Sequence, residues 1–418
     1  MAKGHDQGRE EAFGAAPHER PVPRISIAAF VEFPDTGAAL QRAGADRRLA
    51  KAHMNVQLGG INAAVEHFQG QVTPNLLVVE TRLNGQAALE ELDRLAEVCD
   101  PTTKVIVVGR VNDVELYREL MRRGASEYLV APLNPLHLIE VISGLYLDPQ
   151  AAPIGRVVAF VGARGGVGSS SLAHNVGWCV AEELSINTTI VDLDLSFGTT
   201  GLDFNDEPTQ GVAEALSAPE RLDDVLLDRL LVKRGDHLSI FATPASIDRE
   251  YDAPADAYES VLDAVRQSTP CVIVDIPHLW TPWVKATLIA ADDIVIVAAP
   301  DLASLRNTKN MVELLRQSRP NDTPPRLVLN MVGVPKRPEI PVKDFAETIG
   351  IEPSLVLPFE PALFGQAGNN GQMINEMAPK SASATHVRRL AELVTGRVPH
   401  AQQKASPFLA LFSGKKRA

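Results

Sequence analysis

The residues best placed to do chemistry are four glycines and three serines in one short run. Gly162, Gly165, Gly166 and Gly168 are followed at once by Ser169, Ser170 and Ser171. Glycines let successive backbone N–H groups turn inward without a Cβ in the way, and a helix N-terminus favours negative charge, so this run is suited to wrapping phosphate. Three carboxylates stand at comparable places elsewhere. Asp192 and Asp194 follow the β-branched stretch 188–191, and Asp275 follows the apolar stretch 271–274. Ligands of open α/β sheets bind beyond the carboxyl ends of the strands, so all three acids are expected to converge on the glycine run. There a carboxylate can hold Mg²⁺ through water or orient an attacking water. For Asp192 a purely structural strand-end role is an equal reading.

The spacing from Gly162 to Gly168 is that of the phosphate loop G-x-x-x-x-G-K-[ST], with one break: Ser169 stands where the lysine belongs. Strands are predicted at 157–161, 188–194, 271–275, 294–298 and 326–330, with a helix over 171–184, which together make a parallel core. Upstream, strands at 25–31, 76–79, 104–108 and 127–130 alternate with helices at 38–49, 63–68, 85–99, 114–123 and 136–145. The expected class is α/β: two doubly wound, mostly parallel-sheet domains. The expected division is a disordered arm at 1–23, a first domain at 24–146, a Pro/Ala linker at 147–155, a second domain at 156–397 and a tail at 398–418.

The second domain resembles the ParA/MinD family of deviant-Walker P-loop ATPases. The family's loop K-G-G-x-G-K-[ST]-[ST] is matched by Arg164, Gly165, Gly166, Val167, Gly168, Ser169, Ser170 and Ser171. Asp192 and Asp194 match its aspartate pair, Asp275 its third motif, Asn330 the asparagine that reads the adenine edge, and Pro358 and Phe359 the segment lining the adenine. Within the family the chain resembles the pilus-assembly branch, CpaE/TadZ, through the run 192–216 and through the domain placed ahead of the ATPase. The resemblance implies ATP and Mg²⁺ as cofactors, a homodimer, pilus-machinery partners of the type IVb (Flp/Tad) class, and a place at the cell pole or the inner face of the cytoplasmic membrane. Arg164 is implied to reach the partner subunit's nucleotide, Ser170 to ligate Mg²⁺ and Asp194 to act catalytically by orienting water. Ser169 can hydrogen-bond but brings no charge. Loss of that cation costs a few kcal/mol of transition-state stabilisation, about a hundredfold in rate. The implied behaviour is ATP binding with weak or absent hydrolysis. An active partitioning ATPase cycling on DNA and a nucleotide-free scaffold stay open as alternatives.

The first domain resembles a response-regulator receiver in its rhythm and in its ending at 124–142. The chemistry is missing. Glu80 stands where the phosphorylated aspartate belongs, the acidic pair after strand one is reduced to Glu32, and Ala131 replaces the lysine. A receiver-like docking or dimerisation module is implied, with Glu80 read as a solvated strand-end charge. Asp203, Asp206 and Glu207 are also read as solvated. The histidines, His237 and His278 among them, show no metal-ligand spacing, and Trp280 and Trp283 are read mainly as local packing.

Across 418 residues the net charge is −12, which argues against a general nucleic-acid-binding surface. Three cysteines without C-x-x-C spacing read as buried free thiols in a reducing compartment. With no long apolar run and no apolar signal core, the expected location is the cytoplasm. The tail ends in apolar residues and then Lys415, Lys416 and Arg417, a composition that can touch an anionic membrane surface or a partner.

Overall fold

The computed structural model describes residues 22–146, 154–206, 208–244, 248 and 251–397. Almost all of the expected arm and linker, the whole tail and Glu207 lie outside the described residues. The chain divides into two compact units. The smaller one contains the described residues up to Ile154 together with Met311–Pro324, and the larger one contains Gly155–Asn310 and the described residues from Pro325 onward.

The smaller unit is built on five strands: β1 (Ser26–Val31), β2 (His53–Leu58), β3 (Leu76–Glu80), β4 (Lys104–Gly109) and β5 (Glu127–Val130). Their order is β2-β1-β3-β4-β5, and each neighbouring pair is parallel. Alternation along the strands supplies two cores. Ile27, Ala29, Leu76, Val78 and Ile106 pack with Leu40, Leu138 and Ile142, while Phe30, Leu77, Val79 and Val107 pack with Ile61, Leu92 and Leu120. A sheet covered on both faces needs such near-continuous apolar strands. Strand β2 was not expected. Its sequence, HMNVQL, is polar at alternate positions, and it lies at the sheet edge, where none of its residues is fully buried. The first helix also differs from expectation. It spans Pro34–Gly44 rather than 38–49, opening at a proline, whose fixed φ and missing N–H suit a helix start.

The larger unit carries β6 (Arg156–Gly162), β7 (Thr188–Asp192), β8 (Val232–Lys233), β9 (Leu238–Phe241), β10 (Cys271–Ile276), β11 (Asp293–Ala298), β12 (Arg326–Val332) and β13 (Leu355–Pro358). The order is β13-β12-β11-β6-β10-β7-β9-β8. All pairs are parallel except β8 with β9. Strand β6 is central, with β11 on one side and β10 on the other, so the strand order reverses at the end of β6 and opens a crevice there. The register sets Asp275 level with Asp192 on β7 and with Phe160 on β6. Both units are therefore α/β with mostly parallel sheets.

Candidate nucleotide site

The glycine run forms the tight connection between β6 and the helix Ser169–Trp178. That helix opens at Ser169, two residues earlier than the sequence suggested, so Ser169, Ser170 and Ser171 are its first turn. Three glycines are required, Gly166 and Gly168 by positive φ (+75° and +84°) and Gly162 by space. Gly168 has φ +84°, and a Cβ there would lie 2.7 Å from Asn330 Nδ2; at Gly162 a Cβ would lie 2.9 Å from the Arg164 carbonyl oxygen. A Cβ at Gly165 or Gly166 would meet no heavy atom within 4 Å, so that side of the loop is open.

The loop is pinned from behind by neighbouring strand ends and by a helix (Leu302–Ser318). Asn330 Nδ2 donates to the Val167 carbonyl at 2.8 Å, and its Oδ1 accepts from the Met331 N–H at 2.9 Å. Both ends of the amide expected at the adenine edge are thus engaged within the chain. His278 Nδ1 lies 3.1 Å from the Gly162 carbonyl oxygen, and Asn307 Nδ2 donates to the Ala163 carbonyl at 2.8 Å. Pro358 and Phe359, half-buried, close β13 beside β12, where the Phe359 N–H donates to the Val332 carbonyl at 2.9 Å. Arg164 is held in its own chain. Its Nε and an Nη nitrogen donate to Asp301 Oδ2 at 3.0 and 2.9 Å. Burial pushes the Asp301 carboxyl up, but hydrogen bonds from Ser304 and Arg164 outweigh that and hold it below the usual range.

The register brings Asp192 and Asp275 together, and Asp194 is tied to Asp192 just beyond the strand, but the three acids are in different states. Asp192 is buried. Its Oδ1 accepts from the Asp194 N–H at 3.0 Å, and its Oδ2 accepts from Thr200 through the hydroxyl at 2.6 Å and the backbone at 3.3 Å. Burial and the neighbouring Asp275 charge push its carboxyl up. Asp194 is half-buried and accepts from the Phe197 N–H at 3.0 Å. Asp275 is 3% exposed, with its Oδ2 at 3.6 Å from His174 Nε2.

One residue was missed by the sequence reading and another misread. His174, wholly buried on the helix after the loop, places Nδ1 at 2.6 Å from Asp203 Oδ2 and Nε2 at 2.9 Å from the Thr200 hydroxyl. Burial alone would push His174 down, but hydrogen bonds and charge from Asp203 and Asp275 raise it to about 10. Asp203 is therefore no solvated loop acid: it anchors a buried imidazole. Asp206 pairs with Arg234 at 3.2 Å. Trp283 stacks on Tyr258 with ring centroids 4.2 Å apart, while Trp280 is 53% exposed. Nothing in the spacing of His174 announced its partners, which arrive from two other elements.

The donor set fits a phosphate-bearing ligand with a hard cation. Ser169 Oγ and Asp275 Oδ1 are buried polar atoms with no hydrogen-bond partner in the chain. Buried polar groups are almost always paired, so such atoms mark places where another group belongs. One is a hydroxyl at a helix N-terminus and the other a carboxylate oxygen, the chemistry that phosphate and a water-shelled Mg²⁺ respectively take.

No family model matches the chain. A crystal structure of the pilus assembly protein CpaE from Caulobacter crescentus CB15 is 53% identical and covers 31% of this chain and 98% of that one, with a TM-score of 0.30. The chain belongs to the CpaE-type branch of the ParA/MinD family. The identity carries that assignment, not the structural score. A ParA family ATPase from Chlorobium tepidum TLS shares the fold, with a TM-score of 0.52 and 24% identity, covering 56% of this chain and 98% of that one. Among curated proteins, the septum site-determining protein MinD of Synechocystis is 23% identical over 163 residues, 39% of this chain and 60% of that protein. No helix among the described residues is long and apolar enough to cross a membrane.

Proposed function

We propose that this protein is an ATP-binding localisation and assembly factor for type IVb pilus machinery, acting as a nucleotide-dependent homodimer that hydrolyses ATP weakly or not at all. The observation that carries the reading is the pair of unpartnered buried atoms, Ser169 Oγ and Asp275 Oδ1, at a glycine loop that lacks its lysine. The N–H groups of Gly165, Gly166, Val167 and Gly168 and the hydroxyls of Ser169 and Ser171 would hold the phosphates. Ser170 would ligate Mg²⁺, with Asp275 holding it through water, and Pro358 and Phe359 would line the adenine. Asn330 serves the loop from behind through Val167. Bound Mg²⁺ supplies charge neutralisation of the phosphates. Asp194 is the residue to orient water, and without a lysine at 169 that step is slow. The pilus assignment follows the CpaE relative.

The homodimer draws on two further observations. Phe197, Leu279 and Trp280, in loops just past the ends of β7 and β10, are 72%, 56% and 53% exposed, which suits a surface covered by a second copy. Arg164 sits at the loop with Asp301 holding its guanidinium, and would exchange that carboxylate for the partner's phosphates. The smaller unit is read as a docking module, and the larger unit's nucleotide state as what controls assembly at the pole.

Purified protein titrated with ATP and assayed for phosphate release decides the matter. Tight binding, negligible release and ATP-dependent dimers in sedimentation are expected. Brisk turnover stimulated by DNA would establish a partitioning ATPase instead, and no binding at all would leave a scaffold. Arg164→Ala is expected to weaken ATP-dependent dimerisation while leaving nucleotide binding to the monomer intact.

A further inference from the structure

The acids beneath the glycine loop share one cation. Among the described residues no lysine or arginine pairs with Asp192, Asp194, Asp203 or Asp275; the ion pairs of this group run to His174. We propose that His174 is the positioning residue of the nucleotide site: its ring ties Asp203, Thr200 and Asp275 together under the loop, and so sustains Mg·nucleotide binding in a site that has no P-loop lysine. This rests on the nucleotide-binding reading above.

With Asp192 and Asp203 ionised, the hydrogen bonds assign the ring's protons. Thr200 has one hydroxyl proton. Asp192 Oδ2, which also accepts the Thr200 backbone N–H, takes it at 2.6 Å. Toward His174 the Thr200 oxygen is then an acceptor, so Nε2, at 2.9 Å, must be a donor. Nδ1 faces a carboxylate oxygen of Asp203 at 2.6 Å and is also a donor. Both ring nitrogens carry protons. They are already committed in this way, which leaves no lone pair for a metal even though His174, Asp192 and Asp275 place potential ligand atoms within 4.8 Å of one another. The ring is enclosed, with Phe204 at a centroid distance of 6.0 Å.

The consequence is mechanical and electrostatic. His174 belongs to the helix that the loop opens, Thr200 and Asp203 to the segment after β7, and Asp275 to β10. One ring therefore fixes the Asp192–Asp194 segment against the loop helix. It also offsets negative charge that would otherwise oppose an incoming polyphosphate.

The test uses the full chain, a fluorescent mant-ATP titration with Mg²⁺, and long-range ¹H–¹⁵N correlation of the imidazole nitrogens. At pH 7.5 His174 is expected to show both nitrogens protonated. His174→Gln should weaken mant-ATP binding about tenfold or more, and Asp203→Asn should weaken it less while shifting the Nδ1 resonance. A neutral His174, which would mean that a protonated Asp192 feeds Thr200, overturns the proposal. So does unchanged affinity in folded His174→Gln or, if that variant does not fold, in Asp203→Asn. If the wild-type chain binds no mant-ATP, the nucleotide reading itself fails; if it binds and the variants do not differ from it, only the role of His174 fails.

Discussion

Each unit ends a buried apolar strand in a carboxylate, and the two carboxylates have opposite fates. Glu80 closes β3 and Asp275 lies near the end of β10, at 0% and 3% exposure. Glu80 is fully used inside the chain. Its Oε2 accepts from the N–H groups of Glu32 and Phe33 at 2.8 and 3.0 Å, and its Oε1 from the Thr36 hydroxyl at 2.8 Å, with Arg110 at 3.6 Å. It thereby ties down the N-terminus of the helix Pro34–Gly44, a place that favours an anion. The expectation of a solvated charge is wrong at this position. Phe33 closes over the cluster between two guanidinium groups, Arg110 at 3.7 Å and Arg82 at 4.6 Å from its ring centroid. Asp275 keeps one oxygen with no partner. The same sequence pattern thus yields a structural anion in one unit and a receptive one in the other. The difference lies in whether the chain supplies enough donors.

Glu80→Ala should produce the largest effect. It leaves two buried backbone N–H groups and a hydroxyl without their acceptor, and is expected to cost roughly 3–5 kcal/mol in urea unfolding of the smaller unit. Asp275→Asn should cost under about 1 kcal/mol by the same measurement while impairing nucleotide binding. Equal costs would dissolve the contrast.

The loop glycines give the next largest effect. Gly168→Ala forces a Cβ against Asn330 at positive φ and is expected to cost about 1–3 kcal/mol and most of the nucleotide affinity. Gly165→Ala, with nothing within 4 Å of its Cβ, should leave stability within about 0.5 kcal/mol. Calorimetry on the pair separates a structural glycine from one facing a ligand.

The smallest effect is the pH response, and oppositely shifted groups shape it. Burial pushes the Asp322 carboxyl up, but Arg47, Arg319 and Arg48 outweigh it and hold it near 2. A depressed carboxyl contributes stability above its unfolded value of 3.8 that is lost as pH falls toward 2. His174 is raised, so its contribution is complete below 6.5 and lost as pH climbs through about 10. Melting curves across pH should show the smaller unit, which holds Asp322, weakening in acid, and the larger unit, which holds the depressed Asp301 as well as the raised His174, weakening both in acid and in alkali. A larger unit whose stability rises from pH 7 to 10 would contradict the charge assigned to His174.

Composition and period carried much of this in the sequence. The runs LLVV, VIVV, VVAFV and CVIV can only be strands covered on both faces, and their alternation with helical stretches dictates parallel sheets. The glycine loop was legible because glycine spacing is a backbone property, fixed locally. Strand β2 and strand β9 were not, being short or polar and held by their neighbours in the sheet.

What the sequence determined by itself was therefore local and repetitive: two α/β units, one phosphate-type loop, and the absence of a lysine at 169. What only the tertiary structure decided was which charges meet. Glu80 became a helix anchor because Glu32 and Phe33 arrive from the turn after β1 and Thr36 from the helix that follows it. Asp203 became a buried partner because His174 comes from the loop helix. A side chain's burial and donor count depend on residues tens to hundreds of positions away, and no local pattern encodes them.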